Sequence, residues 1–216
     1  MFAAYKNLVW SVVNLVNSPR GRTYHQQRDR LLLKGQEHRQ FVAAAGQIVA
    51  NRLALGSLGE LSLRLAENTL AITAPNSHLA HLAETDIVTC PLAPDKPDNT
   101  AAAHLAWHRL IYRETSAQAI LLGHPQVTIT LANAGQLPDA QLMPAMWAKI
   151  GGVVLLAESE LLPATLAGQH VALIPQVGAL IWGSSLEDVL IRAEALEYVS
   201  QLTAIARQLR LTSASS

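Results

Sequence analysis

The sequence predicts a single α/β or α+β domain that follows a basic extension. Three observations support this prediction: short segments with strand periodicity, longer segments with helical periodicity between and after them, and a large apolar fraction. Half of the 216 residues are hydrophobic and only 15% are charged, so the chain can bury a sizeable core. We expect the extension to cover residues 1–35 and the folded domain to cover residues 36–216.

The extension is predicted to begin with a short amphipathic helix, Met1–Asn17, which ends at Ser18-Pro19. Residues 1–40 contain seven basic and two acidic residues, although the whole chain carries 16 of each and has no net charge. This excess is typical of a solvated, positively charged segment, which could also dock a partner or cover a neighbouring subunit. The neutral whole chain gives no indication of nucleic-acid binding.

The sequence indicates a protein that neither crosses a membrane nor depends on disulfides. No apolar run approaches the roughly 18 residues that a membrane-spanning helix requires. The one cysteine, Cys90, has no partner for an internal disulfide and is interpreted as a small core residue. We therefore expect a soluble, cytoplasmic protein.

The first half of the domain changes from helical to strand periodicity. Apolar residues recur on one face of a predicted helix over Gln36–Leu55, which ends before Gly56-Ser57. In Glu60–Leu65 leucines alternate with Glu60, Ser62 and Arg64, as in a half-buried strand. Two further strands are predicted over Leu70–Thr73 and Asp86–Cys90.

The second half is predicted to contain two more helices among short strands. Thr100 is positioned to cap a helix that runs to about Glu114. Ser184 and Glu187 have the spacing of a capping box, and a long apolar stripe follows them as far as Leu209. The apolar segments of strand length are Ala119–Leu122, Val153–Leu156 and Ala179–Trp182.

Three stretches of the chain, in order, resemble the class II aldolase and adducin family. The motif Gly59-Glu60-Leu61-Ser62-Leu63-Arg64 resembles that family's GNxSxR strand. Residues 104–125 resemble its block of a glutamate, a histidine and a tyrosine followed by H-x-H-P. Residues 178–209 resemble the segment that follows the family's last metal-binding histidine, and they are the most specific of the three.

This resemblance implies a three-layer αβα fold, in which helices flank a mostly antiparallel central sheet. It also implies a homo-oligomer, most often a tetramer, with sites near subunit boundaries. Members of the family with enzymatic activity hold a divalent metal, usually zinc, with three histidines and break carbon–carbon bonds through an enediolate.

Two of the three metal positions implied by the resemblance have lost their histidine. The second histidine of the H-x-H pair corresponds to His124, followed by Pro125, but the first corresponds to Leu122. The third corresponds to Val177, just before Gly178. Because neither leucine nor valine can coordinate a metal, we expect no conventional zinc site and no required cofactor.

Other functional positions of the family are also replaced. The proton-transferring glutamate corresponds to His104, four residues before His108. Serines that help to hold substrate phosphate correspond to Ala102 and Ala103, and the asparagine of the strand motif corresponds to Glu60, which would repel a phosphate. A predicted pocket therefore contains the side chains Glu60, Thr73, Leu122 and Val177.

Two interpretations of the histidines remain open. His104 and His108 share one face of a predicted helix, so together with His124 they could bind zinc, copper or nickel in a rearranged site. Alternatively, His108 packs or makes a structural hydrogen bond, and His124 is a satisfied histidine in an inherited pocket.

Two functions follow from these interpretations. The first is a binding or oligomeric scaffold role without conventional aldolase activity, in which the pocket takes a small carbonyl or sugar-like ligand. The second is a lyase, epimerase or dehydratase that acts on a small non-phosphorylated sugar or hydroxy-carbonyl compound through His104 and His124. Whether His104 and His124 reach the same cleft distinguishes the two.

Overall fold

The computed structural model describes residues 35–66, 68–93 and 98–214. The predicted helix Met1–Asn17 lies outside these residues. The first described helix, α1, covers Gly35–Ala50 and buries Phe41, Ala45 and Ile48 on one face. The sequence predicted that this helix reaches Leu55, but the backbone leaves the helix earlier and adopts a φ of 58° at Arg52. This left-handed residue starts the turn that leads into the sheet.

A seven-stranded sheet forms the centre of the domain, in the order β3-β2-β1-β4-β7-β6-β5. All described pairings are antiparallel except that between β5 and β6, which is parallel. The strands are β1 Glu60–Ala66, β2 Thr69–Thr73, β3 Ile87–Pro91, β4 Ala119–Gly123, β5 Gly152–Leu155, β6 Gln169–Ile174 and β7 Gly178–Gly183. The predicted, mostly antiparallel sheet is therefore confirmed.

Helices cover both faces of the sheet. The five that follow α1 are α2 Leu105–Glu114, α3 Gln126–Asn133, α4 Pro144–Ile150, α5 Pro163–Leu166 and α6 Leu186–Ala214. One apolar cluster joins α1, α3, α4 and α6 to one face of the sheet. A second cluster joins α2 and α5 to the other face. This is the predicted three-layer αβα arrangement.

Strand β4 shows why both faces need a covering layer. Its five residues are all buried, and Leu121 belongs to the first cluster whereas Ile120 and Leu122 belong to the second. Successive side chains of a strand point to opposite faces, so an uninterrupted apolar run requires partners on both sides.

Two helix starts differ from the prediction. Helix α2 begins at Leu105 with His104 as its N-cap residue, whereas Thr100 was predicted to cap it. The backbone of Ala102 instead hydrogen-bonds to Thr73 at 3.0 Å, which holds this segment against β2. At the start of α6, the Asp188 amide donates to the Ser185 hydroxyl at 3.0 Å, so the cap lies one residue after the predicted Ser184.

In the described part of the chain, no helix is long and apolar enough to span a membrane.

Candidate active site

One end of the sheet brings together the chain segments that carry the predicted site residues. Glu60 is the first residue of β1, and the register places it beside Leu122, near the end of β4. His124 follows β4 directly, and Gly178 begins the neighbouring strand β7. His104 reaches the same end from the start of α2, on the face that the second apolar cluster covers.

Glu60 and His104 form a tight pair at this end. Nδ1 of His104 lies 2.8 Å from Oε1 of Glu60, and the backbone N–H of His104 donates to the same carboxylate at 3.3 Å. The histidine side chain is 30% exposed and the glutamate side chain 9%, so the imidazole lies between the carboxylate and solvent. The His104 ring also packs against Trp107, with ring centroids 4.3 Å apart.

The pairing fixes the charge of both groups. Burial is the largest single influence on the pKa of Glu60 and raises it, but the hydrogen-bonding and electrostatic effects of the His104 and His108 rings together outweigh burial and lower the pKa to about 2. The hydrogen bond to Glu60 raises the pKa of His104 above its ordinary value, against an opposing effect of burial. The pairing therefore favours the carboxylate form of Glu60 and the charged form of His104.

His124 has the opposite tendency. Its backbone N–H donates to Leu53 at 2.7 Å, and its Nδ1 is buried without a hydrogen bond of standard geometry in the described residues. Burial lowers the pKa of His124, although the Val177 peptide group and the Glu60 charge raise it. A positive charge on His104 lowers the pKa of His124 further. The charges of Glu60 and His104 therefore both influence the protonation of His124.

Gly178 has no side chain, and this leaves room for the ring of His124 beside it. A Cβ atom added to this glycine would lie 2.8 Å from the Gly123 carbonyl oxygen and 3.4 Å from Nε2 of His124. Any larger residue would therefore press on the turn that carries His124. Nδ1 of His124 is buried, and Nε2 is the ring nitrogen that lies beside Gly178.

Two imidazoles whose environments drive their pKa values apart can serve as an acid and a base at the same pH. The interaction with Glu60 favours the charged form of His104, which is the form that can donate a proton or stabilise an oxyanion. Burial favours the neutral form of His124, which is the form that can accept a proton. Such a pair of imidazoles is suited to acid–base chemistry.

The remaining predicted residues occupy less accessible positions. Thr73 is buried, and its hydroxyl accepts a hydrogen bond from the backbone N–H of Leu61 at 3.3 Å. Leu122 packs within the second apolar cluster, with partly buried Val177 against its edge. Of the predicted pocket residues, Glu60 is the one that the structure pairs with a catalytic candidate.

His108 lies behind Glu60, fully buried, with Nδ1 2.7 Å from the hydroxyl oxygen of Ser62. That hydroxyl is in turn 2.8 Å from the phenol oxygen of Tyr112. The sequence analysis did not single out Ser62 or Tyr112 as site residues. Their spacing carried a signal, since Ser62 is two residues after Glu60 on a strand and Tyr112 is four after His108 on a helix.

The residues at this end do not fit the three-histidine metal site that the resemblance implies. His124 offers nitrogen, but Leu122 and Val177 have no donor atom. Within the described residues, no three histidine, cysteine, aspartate or glutamate side chains are grouped so that they could hold a metal ion.

A cavity of about 370 Å³ lies at the opposite end of the same strands. It is lined by residues just before β4 and at the end of β7, together with Asp188 and Arg192 of α6. None of the predicted site residues lines it.

The family model described as the class II aldolase and adducin N-terminal domain matches residues 39–204, well over half of the chain. The chain belongs to the class II aldolase and adducin family. The resemblance of the strand motif, the histidine block and the last helix is thereby confirmed, and the extension lies outside the matched range.

Relatives of this family member include sugar-phosphate enzymes. A methylthioribulose-1-phosphate dehydratase from Granulibacter bethesdensis is 27% identical over 198 residues, covering 78% of this chain and 91% of the relative. L-fuculose-1-phosphate aldolase from Thermus thermophilus superposes with a TM-score of 0.67 at 22% identity, covering 80% of this chain and 96% of that one. Another L-fuculose 1-phosphate aldolase gives a TM-score of 0.71 at 18% identity, covering 83% and 90%. At these identities the two structures support the fold alone.

Proposed function

We propose that this class II aldolase family protein is a lyase-type enzyme that abstracts a proton beside the carbonyl group of a small, non-phosphorylated hydroxy-carbonyl compound. The observation that carries the proposal is the grouping of His104, His124 and Glu60 at one end of the sheet, with opposite pKa shifts on the two histidines. The electrostatic effect of His104 and Glu60 on His124 supports the enzyme over a pure scaffold.

In the first step, neutral His124 accepts the proton from the carbon next to the carbonyl. The electron pair of the broken C–H bond forms an enolate, and its oxygen accepts a hydrogen bond from the His104 imidazolium. Glu60 keeps His104 charged and oriented, so the positive charge is in place before the enolate forms.

In the second step of a dehydration, the enolate electrons expel a β-hydroxyl group, which takes the proton of His104 and leaves as water. His124 then returns its proton to solvent and His104 is reprotonated. The dehydratase among the relatives supports this branch. In a carbon–carbon cleavage, neutral His124 instead accepts the proton of the β-hydroxyl group, whose oxygen becomes a carbonyl as the Cα–Cβ bond breaks. The electron pair of that bond forms the enolate, which then takes the proton back from His124 at carbon.

Two replacements at this end of the sheet support a non-phosphorylated substrate. The carboxylate of Glu60 is ionised at neutral pH because its pKa is about 2. Ala102 and Ala103, at the positions where the family resemblance implies serines, offer no hydroxyl. A phosphate near these residues would meet the negative charge of Glu60 and would lack the hydroxyl donors that serines provide.

Self-assembly is the second part of the proposal, and we expect a homo-oligomer, most simply a tetramer. Helix α6 exposes Ile191, Tyr198 and Ile205 at intervals of seven residues, with exposures of 38%, 46% and 55%. A row of apolar residues at this interval is typical of a helix face that packs against another helix. Sedimentation of wild type and a Tyr198→Glu variant tests the assembly, and a monomeric wild type contradicts it.

The experiment for catalysis follows proton exchange in D₂O by ¹H NMR, with dihydroxyacetone and ribulose as probes. We expect wild type to remove the signals of protons beside the carbonyl, and His104→Ala and His124→Ala to slow this at least about 100-fold. His78→Ala, a histidine whose ring lies 5.3 Å from that of His81, is the matched control.

Metal is tested in the same preparation by elemental analysis and by treatment with EDTA. Exchange that persists in EDTA-treated protein supports the acid–base proposal. Exchange that requires added zinc overturns the assignment of the imidazolium as the group that stabilises the enolate. If the protein assembles but does not exchange the protons of either probe, the result supports the scaffold role and contradicts the enzyme.

A further inference from the structure

Behind the Glu60–His104 pair, β1 and α2 face each other with a ladder of polar side chains. The strand contributes alternate residues, Glu60 and Ser62, and the helix contributes every fourth residue, His104, His108 and Tyr112. Because strand side chains repeat every two residues and helix side chains about every four, both sets lie on facing surfaces.

The contacts of the ladder run in one continuous line away from His104. His108 lies 3.5 Å from Glu60 through Nε2 and 2.7 Å from the Ser62 hydroxyl through Nδ1. The Ser62 hydroxyl lies 2.8 Å from the Tyr112 hydroxyl. Within the described residues this buried Nε2 has no hydrogen-bond partner, so at 3.5 Å it acts on Glu60 through electrostatic attraction and not through a hydrogen bond of standard geometry.

This line is buried in an apolar layer. Ser62 and His108 are 0% exposed and Tyr112 is 1% exposed, among leucine and isoleucine side chains of the second cluster. A buried polar network costs desolvation energy and is often replaceable by apolar residues of similar size without loss of stability. Stability alone therefore gives no reason for this arrangement.

The direction of the hydrogen bonds follows from the buried end. Burial raises the pKa of Tyr112, so the phenol stays protonated. Because a phenol is more acidic than an aliphatic hydroxyl group, donation from Tyr112 to Ser62 is the favoured direction of their 2.8 Å contact. The Ser62 hydroxyl is then free to donate to Nδ1 of His108. That leaves the ring proton of His108 on Nε2, the nitrogen that faces Glu60.

We propose that Tyr112, Ser62 and His108 form a positioning ladder that directs the Nε2–H of His108 at Glu60 and so holds this carboxylate against His104. None of the three touches a substrate, so they are positioning residues and not catalytic ones. Their effect on the reaction rests on the proposed function, whereas the direction of their hydrogen bonds does not.

Arg64 holds the end of the ladder that is farthest from His104. It is the next residue of β1 on the same face as Glu60 and Ser62. Its guanidinium carbon lies 5.2 Å from the centre of the Tyr112 ring, and its Nε donates to the Ala117 carbonyl at 3.2 Å. The arginine thereby holds the phenol ring in place from one side. Because Arg64 holds Tyr112, the contacts from Tyr112 through Ser62 to His108 oppose a displacement of Glu60.

The first test reads the tautomer of His108 from ring ¹⁵N chemical shifts of ¹⁵N-histidine-labelled protein, with a His108→Gln variant to assign the signals. We expect a protonated Nε2 and an unprotonated Nδ1. A proton on Nδ1 reverses the direction of the ladder and overturns the proposal, whatever activity the protein has.

The second test separates the two ends of the His108 ring with two variants. His108→Gln places an amide near the position of Nε2, and His108→Asn places one near Nδ1 but leaves nothing that reaches Glu60. With the dihydroxyacetone exchange assay, we expect His108→Gln to keep kcat within about threefold and His108→Asn to lower it about tenfold or more, with KM unchanged.

Ser200→Ala is the matched control, because Ser200 is also 0% exposed and hydrogen-bonded but lies on α6, across the sheet. We expect it to lower the melting temperature without changing kcat. Equal kcat values for the His108→Gln and His108→Asn variants overturn the positioning role. If wild type exchanges no probe, the proposed function fails and the ¹⁵N result alone decides the ladder.

Discussion

Two glutamates on opposite sides of the sheet show how the partners of a carboxylate determine its use. Glu60, on the α2 side, is held by the imidazoles of His104 and His108. Glu197, on α6, accepts the backbone N–H groups of Val127 and Thr128, each at 3.0 Å, and the Thr128 hydroxyl at 2.9 Å.

The difference lies in what the partners can do. Backbone amides do not titrate near neutral pH, so Glu197 acts as a distant cap for the start of α3. Imidazoles gain and lose protons in this range, so Glu60 sets the charge of a group that can take part in a reaction. A long-range carboxylate contact is thus structural or functional according to the chemistry of its donors.

The largest expected effect separates the two glutamates by activity. Glu60→Gln keeps the shape of the side chain but removes the charge that holds His104 as an imidazolium. We expect this variant to slow proton exchange of dihydroxyacetone at least about 100-fold, and Glu197→Gln to change it less than about twofold. Equal losses in both variants would break the comparison.

The pH dependence of stability provides a second difference. The pKa of Glu60 falls from 4.5 to about 2 on folding, so its stabilisation is complete above 4.5 and is lost as pH falls toward 2. The pKa of His104 is raised, so its stabilisation is complete below 6.5 and is lost as pH rises through the folded value. The pair therefore stabilises most between these limits.

Urea denaturation of wild type and Glu60→Gln from pH 3 to 9 measures this effect. We compare the free energy of unfolding of wild type with that of Glu60→Gln. At about 1.4 kcal/mol per pKa unit, the difference in favour of wild type should shrink by up to about 3 kcal/mol as pH falls through the acid range. Because His104 is partly exposed, solvent screening makes the change smaller than this limit. A flat profile for Glu60→Gln would contradict the pairing.

The cap provided by Glu197 should appear in stability. Glu197→Ala leaves the first N–H groups of α3 without their carboxylate partner, and we expect a loss of about 1–2 kcal/mol in the free energy of unfolding. Thermal and urea denaturation measure it. A loss below about 0.3 kcal/mol would show that water replaces the carboxylate fully.

The smallest effect is expected at a third carboxylate, Asp188, which pairs with Arg192 at 3.0 Å near the protein surface. Asp188→Asn should cost about 0.5–1 kcal/mol and leave proton exchange unchanged, because surface pairs are weak. Since salt screens such pairs, the cost should shrink in 1 M NaCl. A salt-independent cost would assign the effect to the Ser184 hydrogen bonds of this carboxylate instead.

Much of the fold could be predicted from local sequence patterns. The alternation that begins at Glu60 identified β1, and the long apolar stripe identified α6, because both patterns persist over enough residues to be distinctive. Strand β6, Gln169–Ile174, was missed. Its apolar part is short and lies between a glycine and a proline, so periodicity could not separate it from a loop.

The site was predictable only in part, because it depends on register. The sequence singled out Glu60, His104 and His124, but it treated Glu60 as a repulsive charge in the pocket. The structure shows this carboxylate paired with His104 at 2.8 Å. Which helix residue meets which strand residue is set by packing across the layers, and local spacing does not reveal it.

The position of Glu60 beside Leu122 on adjacent strands couples substitutions at the two sites. Side chains directly opposite one another on antiparallel strands are neighbours, so the effect of a change at one depends on the residue at the other. A histidine at position 122 would add a nitrogen donor beside His124 and would also compete with His104 for the Glu60 carboxylate. Engineering a metal centre at this end of the sheet is therefore a problem of at least two positions, 122 and 60.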